Sequence, residues 1–399
     1  MTGEVFVQPT VLLRSQYIPR VTASAPVQRG PIDPWLLFAV VMLLLIGEVM
    51  VFSTSYFYAF ERFSDPYRFF WRHQFAVLLG GSGLVLASMV SSLTYRRLAY
   101  PLLALTLFSL VIVFVPGVSH GRIHRWIHAG PINFQPSELA KGAAVLYLAT
   151  SLAKKREQIA NFFYGVLPHV VTIGALILLI ALEPDLGGAV SISLVLFAML
   201  FVTGAQLRHL VVLVVCGLML FAIAAVTANY RLDRIITYIE RLVGGAGEHK
   251  QGIGYQLIQS LLAFGAGGIN GVGLGESHQK MLYLPEAHTD FIFAVVGEET
   301  GLWGSGAIVL LFALLGVRGL RIAMRHPQPF GRLLAFGCTF LLVCQAGLNM
   351  GVVLGLLPTK GLPLPFISYG GSALVTALLY AGMLLSLSRE SLRENHAYA

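Results

Sequence analysis

The sequence predicts an all-α polytopic membrane protein of about ten transmembrane helices with one large extracytoplasmic loop, and three observations carry that prediction. Hydrophobic residues make up 56% of the 399 and charged residues 12%, whereas soluble chains carry roughly 25% charged residues. No water-soluble core could hide so much apolar surface, and the mean hydropathy of +0.75 points the same way. Apolar runs long enough to cross about 30 Å of hydrocarbon recur along the chain, and Lys and Arg collect in alternate gaps between them.

In chain order, residues 1–33 are mixed and Pro-containing, with Arg14, Arg20 and Arg29. They read as a flexible cytoplasmic tail. No small-residue cleavage site follows the first apolar run, so that run is expected to remain as a signal anchor. The runs lie near 35–57, 74–93, 98–115, 137–153, 166–182, 187–203, 207–227, 290–317, 331–356 and 370–387. Residues 34–390 thus form one transmembrane domain, with the loop 228–289 between spans seven and eight and a cytoplasmic tail at 391–399. Arg96 and Arg97, Lys154 to Arg156, Arg208, Arg318 to Arg332, and Arg389 with Arg393 mark the cytoplasmic gaps. Both termini are then cytoplasmic. The first outer gap, with Arg62, Arg68 and Arg72, runs against this assignment.

The net charge of +8 sits in those short gaps, which excludes a nucleic-acid-binding patch. Cys216, Cys338 and Cys344 lie inside apolar runs without CxxC spacing, so neither a disulfide framework nor a zinc site is expected, and they read as small buried hydrophobes. In the long loop, residues 255–264 are amphipathic enough for an interfacial helix, followed by the glycine-rich stretch Gly265 to Gly275. The loop is expected to fold back onto the membrane surface. Gly271, Gly273 and Gly275 imitate a dinucleotide fingerprint, but no strand precedes them.

Asp290 stands where this loop becomes an apolar helix, placing a carboxylate at the outer interface. Partial desolvation there favours a general base; the competing reading is a carboxylate favoured by the helix dipole. Glu138 with Lys141, Glu183 with Asp185, Arg125 and Lys360 recur near outer ends of spans. Acid and base around one outer cavity would suit an anionic substrate with a reacting hydroxyl, and interhelical ion pairs are the alternative. His120, His124 and His128 are spaced for a metal, yet beside Trp126 they read as an interfacial segment. Gln345 and Asn349 are expected to make interhelical hydrogen bonds, and Glu48 lies mid-span, where a charge points to function or pairing.

Taken together, Tyr255-Gln256-Leu257 to Phe264-Gly265, Gly271 to Gly275, Tyr283 to Phe293, Gly297-Glu298-Glu299, Leu357-Pro358-Thr359-Lys360-Gly361 and Ile367-Ser368-Tyr369-Gly370-Gly371-Ser372 resemble the SEDS family (shape, elongation, division and sporulation), and its division branch in particular. Arg125-Trp126, Gln135-Pro136-Ser137-Glu138 with Lys141, and Pro184-Asp185-Leu186-Gly187 fit the same pattern. The resemblance implies a peptidoglycan glycosyltransferase that polymerises lipid II at the outer face of the bacterial inner membrane, at the division septum. Asp290 takes the catalytic position. The remaining motif residues Arg125, Glu138, Lys141, Asp185, Gln256, His288, Glu298, Lys360 and Ser368 become substrate-binding candidates. Undecaprenyl diphosphate leaves, and the implied partners are a class B penicillin-binding transpeptidase and other divisome proteins. No metal-ligand cluster calls for a cofactor; the one the reaction admits is a divalent cation, Mg or Mn, assisting diphosphate departure. Rival readings are a lipid II flippase, an elongation-type polymerase and a non-catalytic divisome scaffold. Residues 235–252 lack the Trp-Pro element of the division pattern, Glu276 replaces a common Asn, and Glu48 is not expected.

Overall fold

The computed structural model describes residues 30–115, 125–129, 132–226, 253–358 and 361–391. Their helices are α1 (Pro34–Phe63), α2 (Arg68–Met89), α3 (Ser92–Ile112), α4 (Pro136–Lys154), α5 (Leu167–Leu182), α6 (Leu186–Thr203), α7 (Leu207–Val226), α8 (Ile253–Gly267), α9 (Ile292–Arg325), α10 (Pro329–Val353) and α11 (Gly371–Ser391). All but α8 fall on the ten apolar runs. Two three-residue strands, β1 (Ile127–Ala129) and β2 (Ile132–Phe134), form an antiparallel hairpin before α4. The chain is therefore a multi-pass helical membrane protein. By length and composition, seven described helices can cross a membrane unaided: α1, α3, α5 with the turn before it, α6, α9, α10 and α11.

The helices that fall short of that criterion are informative. α2 opens with Arg68, Arg72, His73 and Gln74. α4 carries Glu138 and Lys141, yet it is buried on nearly every face by α3, α5, α6, α10 and α11. A helix enclosed by protein is spared the lipid that makes a charge expensive, so its hydropathy understates its place in the bundle. α2 leaves one face open, with Trp71, Leu78 and Leu86 exposed, and α7 is peripheral as well, with Val211, Val212, Leu218 and Met219 exposed. Cys216 lies on that exposed helix, so the expectation of three buried cysteines holds for Cys338 and, in part, Cys344.

Close packing of α2 on α11 depends on glycine. A Cβ at Gly80 would stand 2.6 Å from Leu378 Cδ1, and one at Gly382 would stand 2.8 Å from Ala87 Cβ, which is the small-residue contact that lets membrane helices approach. At one end of the bundle Asp33 caps α1, accepting from Trp35 N at 3.1 Å and Leu36 N at 3.0 Å, and pairs with Arg318 of α9 at 2.5 Å.

The described part of the long loop, residues 253–289, folds onto the bundle. α8 packs against α9, presenting Leu257, Ser260 and Ala263 inward and leaving Ile258 and Leu262 exposed, as its amphipathic pattern predicts. Residues 268–273 then run beside a break in α9 at Gly301, whose φ is +63° and ψ −154°. The break uncouples the carbonyls of Glu298 and Glu299, which accept from Val272 N at 2.9 Å and Gly273 N at 3.1 Å, while Leu302 N donates back to Gly268 O at 3.1 Å. Gly271, at φ +77°, lies so close to the Glu299 carbonyl that no Cβ fits. Gly271→Ala combines a left-handed side-chain penalty with a backbone clash, and should cost about 2–5 kcal/mol. Gly265→Ala, where a Cβ meets nothing within 4 Å, should cost nothing. Thermal unfolding in detergent checks both, with a drop of several degrees expected for the first variant alone.

Candidate active site

A cavity of about 500 Å³ opens among the start of α2, the arm before α4, the α5–α6 turn, the loop before α9 and the segment leading into α11. Four expected residues meet there: Asp290, Arg125, Glu138 and Asp185 line it together with Arg72, Trp126 and Tyr369.

Asp290 precedes the first residue of α9 by two positions. Three consecutive carbonyls hold this turn. His288 O accepts from Tyr369 N at 2.9 Å, Thr289 O from Ser368 Oγ at 2.6 Å, and Asp290 O from Asn349 Nδ2 at 2.8 Å. Asn349 also donates to Leu362 O at 2.6 Å, and Ser368 Oγ accepts from Leu364 N at 2.8 Å. The carboxylate is thereby set against the 361–363 segment. A Cβ at Gly361 would sit 3.0 Å from Asp290 Oδ2, so glycine keeps that wall open. Lys360 lies outside the described residues, as do His120 and His124.

Arg125 is seated on main-chain carbonyls of the α5–α6 turn: its Nε donates to Glu183 O at 2.8 Å and Nη2 to Pro184 O. Asp185 caps α6, with Oδ1 accepting from Gly188 N at 2.9 Å and Oδ2 from Ser137 Oγ at 2.8 Å and Gln135 Nε2 at 3.3 Å. Glu138 is bound by Lys141 Nζ at 2.7 Å, and Lys141 also donates to Gln345 Oε1 at 2.9 Å. That lysine is 1% exposed and is committed to the protein interior. Gln345 Nε2 continues the chain to Pro363 O at 3.0 Å, so Gln345 and Asn349 make the hydrogen bonds expected of them, although to the 361–363 segment and to α4.

The other candidates stand outside the cavity lining. His288 is packed among Tyr58, Phe69 and Tyr369, with ring centroids 5.1, 5.3 and 5.7 Å away, and burial lowers its pKa against an opposing push from Glu286. Glu298 accepts from Ser277 Oγ, from His278 N at 3.1 Å and from Gln279 N at 3.3 Å, holding the end of the glycine-rich segment. Gln256 is half-buried on α8. Glu48 meets Gln74 and lies 3.4 Å from His73 between α1 and α2. Lys280 pairs with Glu299 at 2.9 Å. Among the described residues no three His, Cys, Asp or Glu side chains converge to hold a metal.

Arg72 is the site residue that sequence reasoning missed. It lies beside the Tyr369 hydroxyl, whose pKa burial raises while Arg72 and then Arg68 lower it. Its signal was present as the cluster of arginines in an outer gap, where topology does not call for them. Glu183 is the second residue with an unassigned role. Burial and then the Asp185 charge push its carboxyl up to about 8, with Arg125 pulling the other way.

Two outcomes follow from these networks. Lys141→Met leaves Glu138 buried without its cation and should destabilise the protein by about 3–5 kcal/mol; adding Glu138→Gln should recover most of the thermal shift. Glu183 binds its proton more tightly in the folded than the unfolded state. Its contribution therefore favours folding below the ordinary value of 4.5 and is lost as pH rises toward about 8. In melting curves across that window, Glu183→Gln should show a smaller decline than the native chain.

Residues 34–393 match the cell cycle protein family FTSW_RODA_SPOVE. Over 358 residues the chain is 43% identical to the probable peptidoglycan glycosyltransferase FtsW of Geobacter sulfurreducens, covering 89% of this chain and 95% of that protein. It is 40% identical over 366 residues to stage V sporulation protein E of Bacillus subtilis, covering 90% and 98%. Among solved structures it resembles a chain from work on structural coordination of polymerization and crosslinking by a peptidoglycan synthase complex, with TM-score 0.73, 31% identity and coverage of 91% and 99%. The rod shape determining protein RodA of Thermus thermophilus follows at TM-score 0.66 and 30% identity, with coverage of 91% and 98%. With its helices, its cavity and these similarities in agreement along nearly the whole chain, the protein belongs to the FtsW, RodA and SpoVE family of cell cycle proteins.

Proposed function

We propose that this protein is a peptidoglycan glycosyltransferase that polymerises lipid II into glycan strands for septal wall synthesis. The observation that carries this reading is a cavity lined by Asp290 and two arginines, Arg72 and Arg125, in which two of the other lining carboxylates, Glu138 and Asp185, are already held by Lys141 and by Ser137, Gln135 and Gly188. The similarity to relatives named peptidoglycan glycosyltransferases supports it independently.

The donor sugar is attached to undecaprenyl diphosphate, already a good leaving group. The protein then needs a base for the acceptor hydroxyl, positive charge for the departing diphosphate, and a fixed distance between them. Asp290 takes the proton of the acceptor 4-hydroxyl. That oxygen bonds to the anomeric carbon from the face opposite the diphosphate, the carbon–oxygen bond to the diphosphate breaks, and configuration inverts. Arg72 and Arg125 stabilise the charge that develops on the diphosphate. Lys141, tied to Glu138 and Gln345, acts through the architecture of the wall, while Asp185 and Glu138 shape its acidic side. Asn349 and Ser368 are positioning residues, because they fix the carbonyls on either side of the base.

A class B penicillin-binding transpeptidase crosslinks the product, a reading supported by the likeness to a chain from a synthase complex that couples polymerization to crosslinking. The termini face the cytoplasm, the cavity faces outward, and other divisome proteins direct the enzyme to the septum. Purified protein, with and without its cognate transpeptidase, should make glycan from lipid II. Asp290→Asn should lower the rate by at least about 100-fold at equal folded yield; full activity in that variant would place the base elsewhere.

A further inference from the structure

Glu183 is a buried carboxyl beside the cavity that the reaction above does not use. It ends α5 with no exposed surface, and neither of its carboxylate oxygens meets a hydrogen-bond partner among the described residues. Its neighbours differ. Glu138 has Lys141, and Asp185 accepts from Ser137, Gln135 and Gly188. The same turn supplies the two carbonyls that seat Arg125 and the carboxylate of Asp185 that lines the cavity. One short turn thus combines an unpartnered acid, the seat of a cavity arginine and part of the cavity wall.

We propose that Glu183 is a positioning residue that serves as a neutral acid: protonated, it leaves Arg125 on the carbonyls of Glu183 and Pro184, available to the diphosphate of the lipid substrate, and ionised, it draws the guanidinium away into a direct ion pair. The inference rests on the polymerase reading. Its physical basis is that a buried carboxylate with no donor does not persist; it stays neutral or recruits a cation. Among the described residues the cation that acts on it is Arg125, whose guanidinium already rests on the same turn.

The groups around Glu183 leave few alternatives. Asp185 on the same turn opposes its ionisation and Arg125 favours it. Of the elements packed on α5, α4 brings Glu138 and Lys141, already paired, with Tyr147 and Lys154 further along, Tyr147 meeting α5 at His169 and Thr172, and the turn Phe162–Val166 before α5 adds only Tyr164 at the opposite end. α6 carries no ionisable side chain. α3 has its charges, Arg96 and Arg97, only in its first turns, at the far end of the helix. With its carboxyl held near 8, Glu183 is mostly neutral at pH 7 and mostly ionised at pH 9. The alkaline limb of polymerisation should therefore belong to this residue.

The test is the pH dependence of kcat/KM for lipid II between pH 6.5 and 9.5. It uses the purified protein with its cognate transpeptidase and compares the native chain with Glu183→Gln. The native chain should lose about tenfold between pH 7 and pH 9, mainly through KM, because a single titration near 8 reverses the dominant form across that interval. The Gln variant should lose less than about twofold over the same range. Glu183→Met, which also removes the charge, carries the same expectation if the Gln variant folds poorly. A flat native profile, or a substituted protein that keeps the native alkaline limb, would overturn the inference and leave the polymerase reading intact. No glycan from the native chain at pH 7 would overturn both.

Discussion

Lys141 is the knot through which the walls of the cavity are tied. From its place on α4 it bonds Glu138 one turn earlier and Gln345 on α10. Gln345 reaches on to the Pro363 carbonyl, while Glu138 is joined from α11 by Thr376 at 3.4 Å and, at its main-chain oxygen, by the Tyr380 hydroxyl at 2.8 Å. Three helices and one loop segment thus share a single buried network. In a bundle surrounded by lipid no water is available to satisfy such groups, so the partners must come from the protein and the helices must keep their relative positions. The cavity inherits its shape from that requirement.

Asp290 is held by a different device. The turn before α9 is secured through main-chain carbonyls at three successive positions, 288 to 290. Its donors come from α10 and from the segment that leads into α11. Side-chain substitutions within the turn would leave those bonds in place, which separates positioning of Asp290 from its chemistry. Further along, the break at Gly301 lets α9 serve two purposes. Its first part carries buried Glu298 and Glu299 toward the glycine-rich segment, and its second part crosses the bundle to meet Asp33 at the opposite end.

Charge is divided among the residues around the cavity by what each one touches. Lys141 and Glu138 neutralise each other, and Asp185 is saturated by three donors. Arg125 rests on carbonyls and, among the described residues, makes no ion pair with a carboxylate. Acids and bases that look equivalent along the chain therefore separate into groups cancelled by a charge and groups held only by dipoles. The physical criterion is whether the compensating partner is a charge, which cancels, or a dipole, which only orients.

Much of this was legible in the sequence alone. Apolar length and the placement of arginines and lysines determined the helices, because a bilayer imposes one span length and one charge asymmetry on any chain. Asp290 was readable as a carboxylate at a loop-to-helix junction, and Arg125, Glu138 and Asp185 as ionisable groups at the same level. The rest was decided by tertiary contact. That Lys141 is sequestered, that Arg72 joins the site, and that Glu183 is buried without a donor depend on which helices become neighbours, and no local pattern encodes that. Burial and pairing are properties of side chains far apart in the chain, such as Lys141 with Gln345 and Asp290 with Asn349. Sequence determined which groups gather at one end of the spans, and packing alone decided which of them are paired with a charge, held by dipoles or open to the cavity.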